Sequence, residues 1–132
     1  MKPITQEWIR KAEGDFATAQ RELQAQENQN YDAVCFHCQQ CVEKWLKACL
    51  QESDIFFPRT HDLTQLLNLL QGIDPSWEST RLQLDTLTVY AVELRCPGLS
   101  ASESNATEAS ESCKQIRQRV RAHLASLVSE KG

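Results

Sequence analysis

Glycine and proline are scarce in this chain of 132 residues, which has four of each, and this excludes a collagen-like or loop-dominated protein. No apolar run approaches the roughly 18 residues that a membrane-spanning helix needs, so no membrane partner is expected. The first residues lack the apolar segment of a secretory signal peptide, which predicts a cytoplasmic location. Basic residues are not in excess either, because the formal net charge is −4. A generic basic surface for nucleic acid is therefore excluded, but a small local anion pocket is not.

Motifs for metals and cofactors are also missing. Neither a glycine-rich phosphate loop nor a Glu-x-x-His pair of the di-iron type occurs. The C-x2-C-x2-C spacing of Cys35, Cys38 and Cys41 superficially suggests a metal or iron–sulfur site. These residues fall within a predicted helix, however, where they spread over about 120° of its surface instead of wrapping a metal. We therefore predict free thiols that pack in the core of a reduced protein, with no metal and no cofactor.

Apolar residues recur at helical spacing along most of the chain, and no segment shows the alternation of a strand. Thr60 is the predicted N-cap of the third helical segment, and Pro58 ends the segment before it. Asn105, three residues before Glu108, resembles a capping box at the start of the last segment. The sequence predicts a single all-α domain over residues 1–132, an antiparallel bundle of four main helices plus one short helix. The predicted helices span approximately residues 5–26, 31–53, 61–71, 74–95 and 105–129.

The second predicted helix carries four polar residues on one face, opposite the apolar line that contains Cys38 and Trp45. One interpretation is a solvated face with an ion pair between Glu43 and Lys47. Phe36 falls within the same stripe, however, which indicates that another helix or a second subunit covers this face. The polar groups beside Phe36 would then be directed at a partner or a ligand. The four polar residues are Gln40, Glu43, Lys44 and Lys47.

Two further positions are candidates for anion binding. Arg95 stands at the end of the fourth predicted helix, where a basic residue either stabilises the helix C-terminus or binds a phosphate through its planar guanidinium. Thr60 and His61 stand at the start of the third, where free N–H groups and the helix dipole attract negative charge. The alternative there is a simple cap, with Asp62 complementing the dipole. If the two helix ends meet, Arg95, Thr60 and His61 would form one pocket for negative charge.

Several short motifs resemble those of HEPN domains and occur in the same order along the chain. Residues 39–47, QQCVEKWLK, resemble the Q-Q-x-x-E-K-x-x-K signature, and residues 60–63 resemble the T-H-D-L element. Tyr90 with residues 95–97 resembles the Y-x4-R-Y-P element, with Cys96 where tyrosine is usual. The pattern W-x3-A-x2-D-x3-A that starts at residue 8 is similar as well. The likeness extends from about residue 5 to residue 128.

The resemblance implies a small helical bundle that is often dimeric and is frequently encoded beside, or fused to, a minimal nucleotidyltransferase. Some members are endoribonucleases, especially toxins of toxin–antitoxin pairs, and others are non-catalytic nucleotide-binding or interaction modules. The ribonucleases carry an R-x4-6-H motif that would start at Arg95, but residues 100–102 are Ser, Ala and Ser. Arg117 and His123 match the spacing by letter, yet they lie about 240° apart on a helix and cannot converge on one phosphate.

Together these observations predict a module that binds a nucleotide or an RNA phosphate, acts with a nucleotidyltransferase partner and lacks the usual nuclease motif. No residue is assigned a catalytic role. One alternative is a metal-independent endoribonuclease in which His61 replaces the missing histidine, and the other is a purely structural interaction module. Phe36 is expected at a homodimer interface. The expected ligand-binding residues are Arg95, His61, Thr60, Lys44, Lys47, Gln40 and Glu43.

Overall fold

Helices account for most of the chain in a computed structural model, which describes residues 1–94 and 96–131, the last two of them by backbone alone. No strand occurs among these residues, so the predicted all-α bundle is confirmed. Within the same residues, no helix is both long and apolar enough to cross a membrane. The elements are α1 (Pro3–Leu23), α2 (Tyr31–Glu52), α3 (Leu63–Leu70), a 3₁₀ helix (Pro75–Thr80), α4 (Arg81–Glu93) and α5 (Glu103–Lys131).

The central helix of the bundle is α2, which packs against α1, α3, α4 and α5. Fourteen of its 22 residues are buried, so nearly every side of this helix faces a neighbour. Glu43 and Lys47 are among the buried residues, and the interpretation of their stripe as a solvated face is therefore wrong. Cys35, Cys38 and Cys41 are fully buried free thiols, which confirms their predicted role in packing.

Capping side chains explain where two helices begin. Asp62, not Thr60, caps α3, because its carboxylate accepts a hydrogen bond from the Thr64 N–H at 2.9 Å. The capping box of α5 joins Ser102 and Asn105: Ser102 Oγ accepts from the Asn105 N–H at 3.0 Å, and Asn105 Oδ1 accepts from the Ser102 N–H at 2.9 Å. The predicted N-caps Thr60 and Asn105 are thus wrong by two and three residues.

A left-handed residue, rather than a proline, ends α2. Asp54 has a φ of 59°, and the Ile55 N–H donates to the Leu50 carbonyl at 3.0 Å, as in a Schellman motif. The helix is therefore complete before Pro58 can interrupt it. The segment that follows brings His61 back to the side of α2, where it meets the polar residues of that helix.

Candidate ligand-binding groove

A groove runs between α2 and α4, and we name it the α2–α4 groove. It consists of two adjoining cavities of about 380 Å³ and 300 Å³, and Phe36 and Ala91 line both of them. An aromatic ring therefore lies at the middle of a continuous surface. The other lining residues are Gln39, Gln40, His61, Thr88 and Val92 in the first cavity and Asn30, Asp32, Ala33, Tyr90 and Leu94 in the second.

A buried carboxylate orients the imidazole of His61. The Glu43 side chain is 3% exposed, and its Oε1 accepts a hydrogen bond from His61 Nδ1 at 2.9 Å. Because an ionised carboxylate can only accept, the proton of the neutral imidazole is assigned to Nδ1. The His61 side chain itself is 83% exposed, and no described residue hydrogen-bonds its Nε2. This nitrogen is available to a ligand in the groove.

The two lysines of the predicted stripe face carboxylates instead of the groove. Lys47 Nζ donates to Glu43 Oε2 at 3.2 Å and lies 5.4 Å from the centroid of the Trp8 ring. Lys44 Nζ donates to the carboxylate of Asp15 on α1. Neither lysine lines the groove, so their charges compensate carboxylates within the bundle.

Two glutamines of α2 form a chain of hydrogen bonds along the groove. Gln39 is 2% exposed, and its Nε2 donates to the backbone carbonyl of His61 at 3.0 Å. Gln40 Nε2 donates in turn to Gln39 Oε1 at 2.7 Å. Of these two glutamines, the sequence predicted only Gln40 as a ligand-binding residue. The structure gives Gln39 a separate part, because it links the His61 segment to the amide of Gln40.

At the start of α3, where the sequence predicts an anion site, side chains of the protein itself accept hydrogen bonds from the Asp62 and Thr64 N–H groups. Asp62 occupies this helix start with its own carboxylate, and its charge would repel an anion. Thr60 Oγ1 accepts from the Asp62 N–H at 3.0 Å and so stabilises the turn before the helix. Arg95 lies outside the described residues. Ala91 of α4 and Leu94, the C-cap of this helix, line the groove.

The α4 wall contains residues that the sequence interpretation missed. Thr88, Ala91 and Val92 line the first cavity, and Thr88 Oγ1 is buried without a hydrogen-bond partner among the described residues. Burial raises the pKa of Tyr90, which keeps its hydroxyl neutral in the second cavity.

A larger cavity of about 680 Å³ lies beside α5, and it contains none of the residues that the sequence predicted for a site. Its lining includes Gln83 of α4 and Arg119 of α5. Across the part of the chain that the structure describes, no group of three or more His, Cys, Asp or Glu side chains is arranged to hold a metal ion. The α2–α4 groove is therefore the place where the sequence motifs and a cavity coincide.

Comparison with known proteins gives two matches. A family model described as "HEPN domain" matches residues 5–123. The crystal structure of an archaeal HEPN homologue has a TM-score of 0.66 to this chain at 24% sequence identity, and the alignment covers 93% of this chain and 98% of that chain. This second likeness shows a shared fold. No curated protein matched the sequence.

Proposed function

The chain belongs to the HEPN domain family, and on that premise we propose that it binds a nucleotide or an RNA phosphate in the α2–α4 groove. The observation that carries the proposal is the arrangement of His61, whose Nδ1 is held by buried Glu43 while its Nε2 is open at the cavity wall. The Nε2 of the neutral imidazole can accept a hydrogen bond from a sugar hydroxyl, and in the imidazolium form it can donate one to a phosphate oxygen.

The composition of the groove supports a ligand with both polar and flat apolar parts. Phe36 provides an aromatic face at the junction of the two cavities, and aromatic side chains stack on nucleobases. α4 ends at Glu93 with Leu94 as its C-cap, and Arg95 is the next residue in the sequence. We propose that the guanidinium of Arg95 binds the phosphate, since planar bidentate binding of phosphate favours arginine.

Calorimetric titration with AMP and with a short single-stranded RNA tests this proposal. We expect the His61→Ala and Arg95→Ala variants to bind about tenfold more weakly, the effect of losing one charge-assisted hydrogen bond. Arg121→Ala is the matched control, because Arg121 is an exposed arginine of α5 without an ionic partner among the described residues. Equal heats for all four proteins, or no heat with either ligand, would overturn the proposal.

One observation favours a second candidate function, a metal-independent endoribonuclease. A histidine that is fixed by a carboxylate at Nδ1 and open at Nε2 is a typical general acid or base. The expected activity is RNA cleavage in the presence of excess EDTA, lost in His61→Ala and kept in His123→Ala. RNA that stays intact after long incubation with the wild-type protein would exclude this candidate and leave the binding function.

The outer face of α4 supports a homodimer. Leu82 and Val92 are 82% and 64% exposed, and Val89 is also exposed, although α4 packs its opposite face into the bundle. A helix that is apolar on both faces is usually covered. We propose that a second copy covers it in an antiparallel pairing of the two α4 helices. Leu82 of one copy would then lie beside Val92 of the other, and Arg81 near Glu93.

Light scattering tests the dimer. Leu82→Glu is expected to give a monomer, because the substitution places a carboxylate in an apolar contact. Val128→Glu, at an exposed apolar residue of α5, is the control and should leave the dimer intact. Phe36, which the sequence placed at the interface, lines the groove beside this face together with Val92. A wild-type protein that is monomeric at every concentration would refute the pairing.

We also propose a minimal nucleotidyltransferase as the protein partner, because such enzymes frequently accompany the domains that this chain resembles. A purified minimal nucleotidyltransferase that is encoded beside the chain is the probe. Co-elution of the two proteins in size-exclusion chromatography, with a mass equal to the sum, is the expected result. Separate elution at concentrations up to about 100 μM would exclude a stable complex, since two proteins with a Kd of 1 μM (about −8 kcal/mol) are mostly bound at that concentration.

A further inference from the structure

We propose that Gln40 hydrogen-bonds the edge of a nucleobase in the first cavity of the α2–α4 groove. This inference rests on the proposed function, since it names the part of a nucleotide that this cavity receives. Gln40 lines the cavity together with Phe36 and His61. Gln39 is then a positioning residue, because it acts on the ligand only through Gln40.

The hydrogen-bond chain determines which atoms Gln40 presents. The backbone carbonyl of His61 can only accept, so the Gln39 atom that faces it at 3.0 Å must be the amide nitrogen. Gln39 Oε1 is therefore free to accept, and it does so from Gln40 Nε2 at 2.7 Å. If the amide of Gln40 were flipped, its Oε1 would face Gln39 Oε1, and two acceptors would be in contact without a proton between them. Its Oε1 and one N–H have no partner among the described residues and are available to a ligand.

The lining of the first cavity fits the uncharged part of a nucleotide. Among the described residues of this lining, His61 alone can carry a charge, and Phe36, Ala91 and Val92 contribute apolar surface. A phosphate with two negative charges would meet no fixed cation among these described lining residues. A nucleobase is flat and neutral, so it can stack against apolar walls and still hydrogen-bond an amide.

An amide that offers one acceptor beside one donor matches the edge of a base. Adenine, for example, presents its N6 amino group beside a ring nitrogen, and glutamine pairs with both atoms. The cavity of about 380 Å³ is large enough to admit such a ring together with part of its sugar. His61, whose side chain is 83% exposed, leaves the cavity open to solvent on its side.

A cycle of one protein change and one ligand change tests the contact. The ligands are AMP and purine riboside 5′-monophosphate, which lacks the exocyclic amine of adenine. We expect wild-type protein to bind AMP about fivefold to tenfold more tightly than the analogue, the value of one hydrogen bond. Gln40→Ala should bind the two equally, because the partner of the amine is gone. Gln83→Ala, whose amide pairs with Gln115 outside the groove, is the matched control and should keep the wild-type ratio.

Two further ligands separate this inference from the proposed function. Adenosine should compete with AMP, and its affinity should fall in Gln40→Ala, whereas ribose 5-phosphate should be unaffected by that substitution. Gln40→Met, which keeps the length of the side chain, should reproduce the result of Gln40→Ala. If ribose 5-phosphate binds as well as AMP and Gln40→Ala changes nothing, the base contact is wrong while the phosphate site stands. If none of the nucleotides binds, both proposals fall.

Discussion

The buried ion pair between Glu43 and Lys47 gives the sharpest prediction about stability. Their side chains are 3% and 8% exposed, and Lys47 Nζ lies 3.2 Å from Glu43 Oε2. Lys47→Met removes the charge and keeps most of the side-chain volume. The carboxylate of Glu43 would then stay buried, with the exposed imidazole of His61 as its remaining partner. We expect a loss of about 3 kcal/mol in the free energy of unfolding, the lower end of the range for a broken buried pair.

The double variant Glu43→Met/Lys47→Met distinguishes an ion pair from simple packing. Each single change leaves one buried charge without its partner, but the double change leaves none. We expect the double variant to lose only about 1 kcal/mol, whereas the sum of two single losses would be about 6 kcal/mol. Urea unfolding followed by far-UV circular dichroism measures all four proteins.

A surface pair provides the control for this cycle. Lys114 and Glu111 on α5 are 3.8 Å apart, with side chains 46% and 61% exposed. Lys114→Met should change the free energy of unfolding by less than about 0.5 kcal/mol, because water screens exposed pairs. The reasoning is refuted if Lys47→Met costs no more than Lys114→Met, or if the losses at Glu43 and Lys47 are additive.

Three other predictions concern thiols, acid stability and an arginine. A thiol reagent should modify only Cys96 in the folded protein and all six cysteines in urea, because the other five are buried. Burial also raises the pKa of Cys35 to about 11, which slows its reaction further. A second thiol that reacts fast in the folded protein would contradict this prediction. Hydrogen bonds from the backbone N–H and the side chain of Ser76 lower the pKa of Asp74 in the folded protein. The stability that Asp74 contributes is therefore present above its unfolded-state pKa of about 3.9, and it is lost as the pH falls through the lower folded-state pKa. Asp74→Asn should therefore lose less stability in urea unfolding between pH 5 and pH 2 than wild type, and parallel curves would argue against it. Arg117 donates two hydrogen bonds to the carboxylate of Glu13, at 2.6 and 2.9 Å. Because lysine cannot form this bidentate contact, Arg117→Lys should lower the free energy of unfolding by about 1 kcal/mol in the same assay. An unchanged unfolding midpoint would show that the bidentate geometry adds nothing to stability.

The helices were predictable because the spacing of apolar residues is a property of each segment alone. Their ends were not, because neighbouring residues compete for the same cap. Thr60 and Asp62 are both good N-cap residues, and only the path of the chain decides that Asp62 reaches the Thr64 N–H. The same holds for α5, where Ser102 is the cap and Asn105 completes the box three residues later.

The candidate site was predictable in part. Spacing placed the four polar residues of α2 on one side of a helix, and the motif placed His61 at the start of the next element. Spacing could not show which neighbours cover α2, and this decides the outcome for each residue. Gln40 lines the groove, whereas Lys44 and Lys47 bond carboxylates elsewhere. In a central helix that has neighbours on nearly every side, polarity does not indicate exposure.

The buried position of the Glu43–Lys47 pair is better explained by its role in orienting His61 than by a contribution to stability. A buried ion pair adds little to stability over an apolar pair of similar volume, but a carboxylate held away from water keeps one orientation. Glu43 bonds both Lys47 and His61, so Lys47 neutralises the carboxylate that orients the imidazole. The Glu43→Met/Lys47→Met variant separates these two roles, because it should unfold almost as wild type does and yet release His61. Its affinity for AMP should therefore fall about as much as that of His61→Ala. If the double variant binds AMP as tightly as wild type, orientation of His61 by Glu43 has no part in binding.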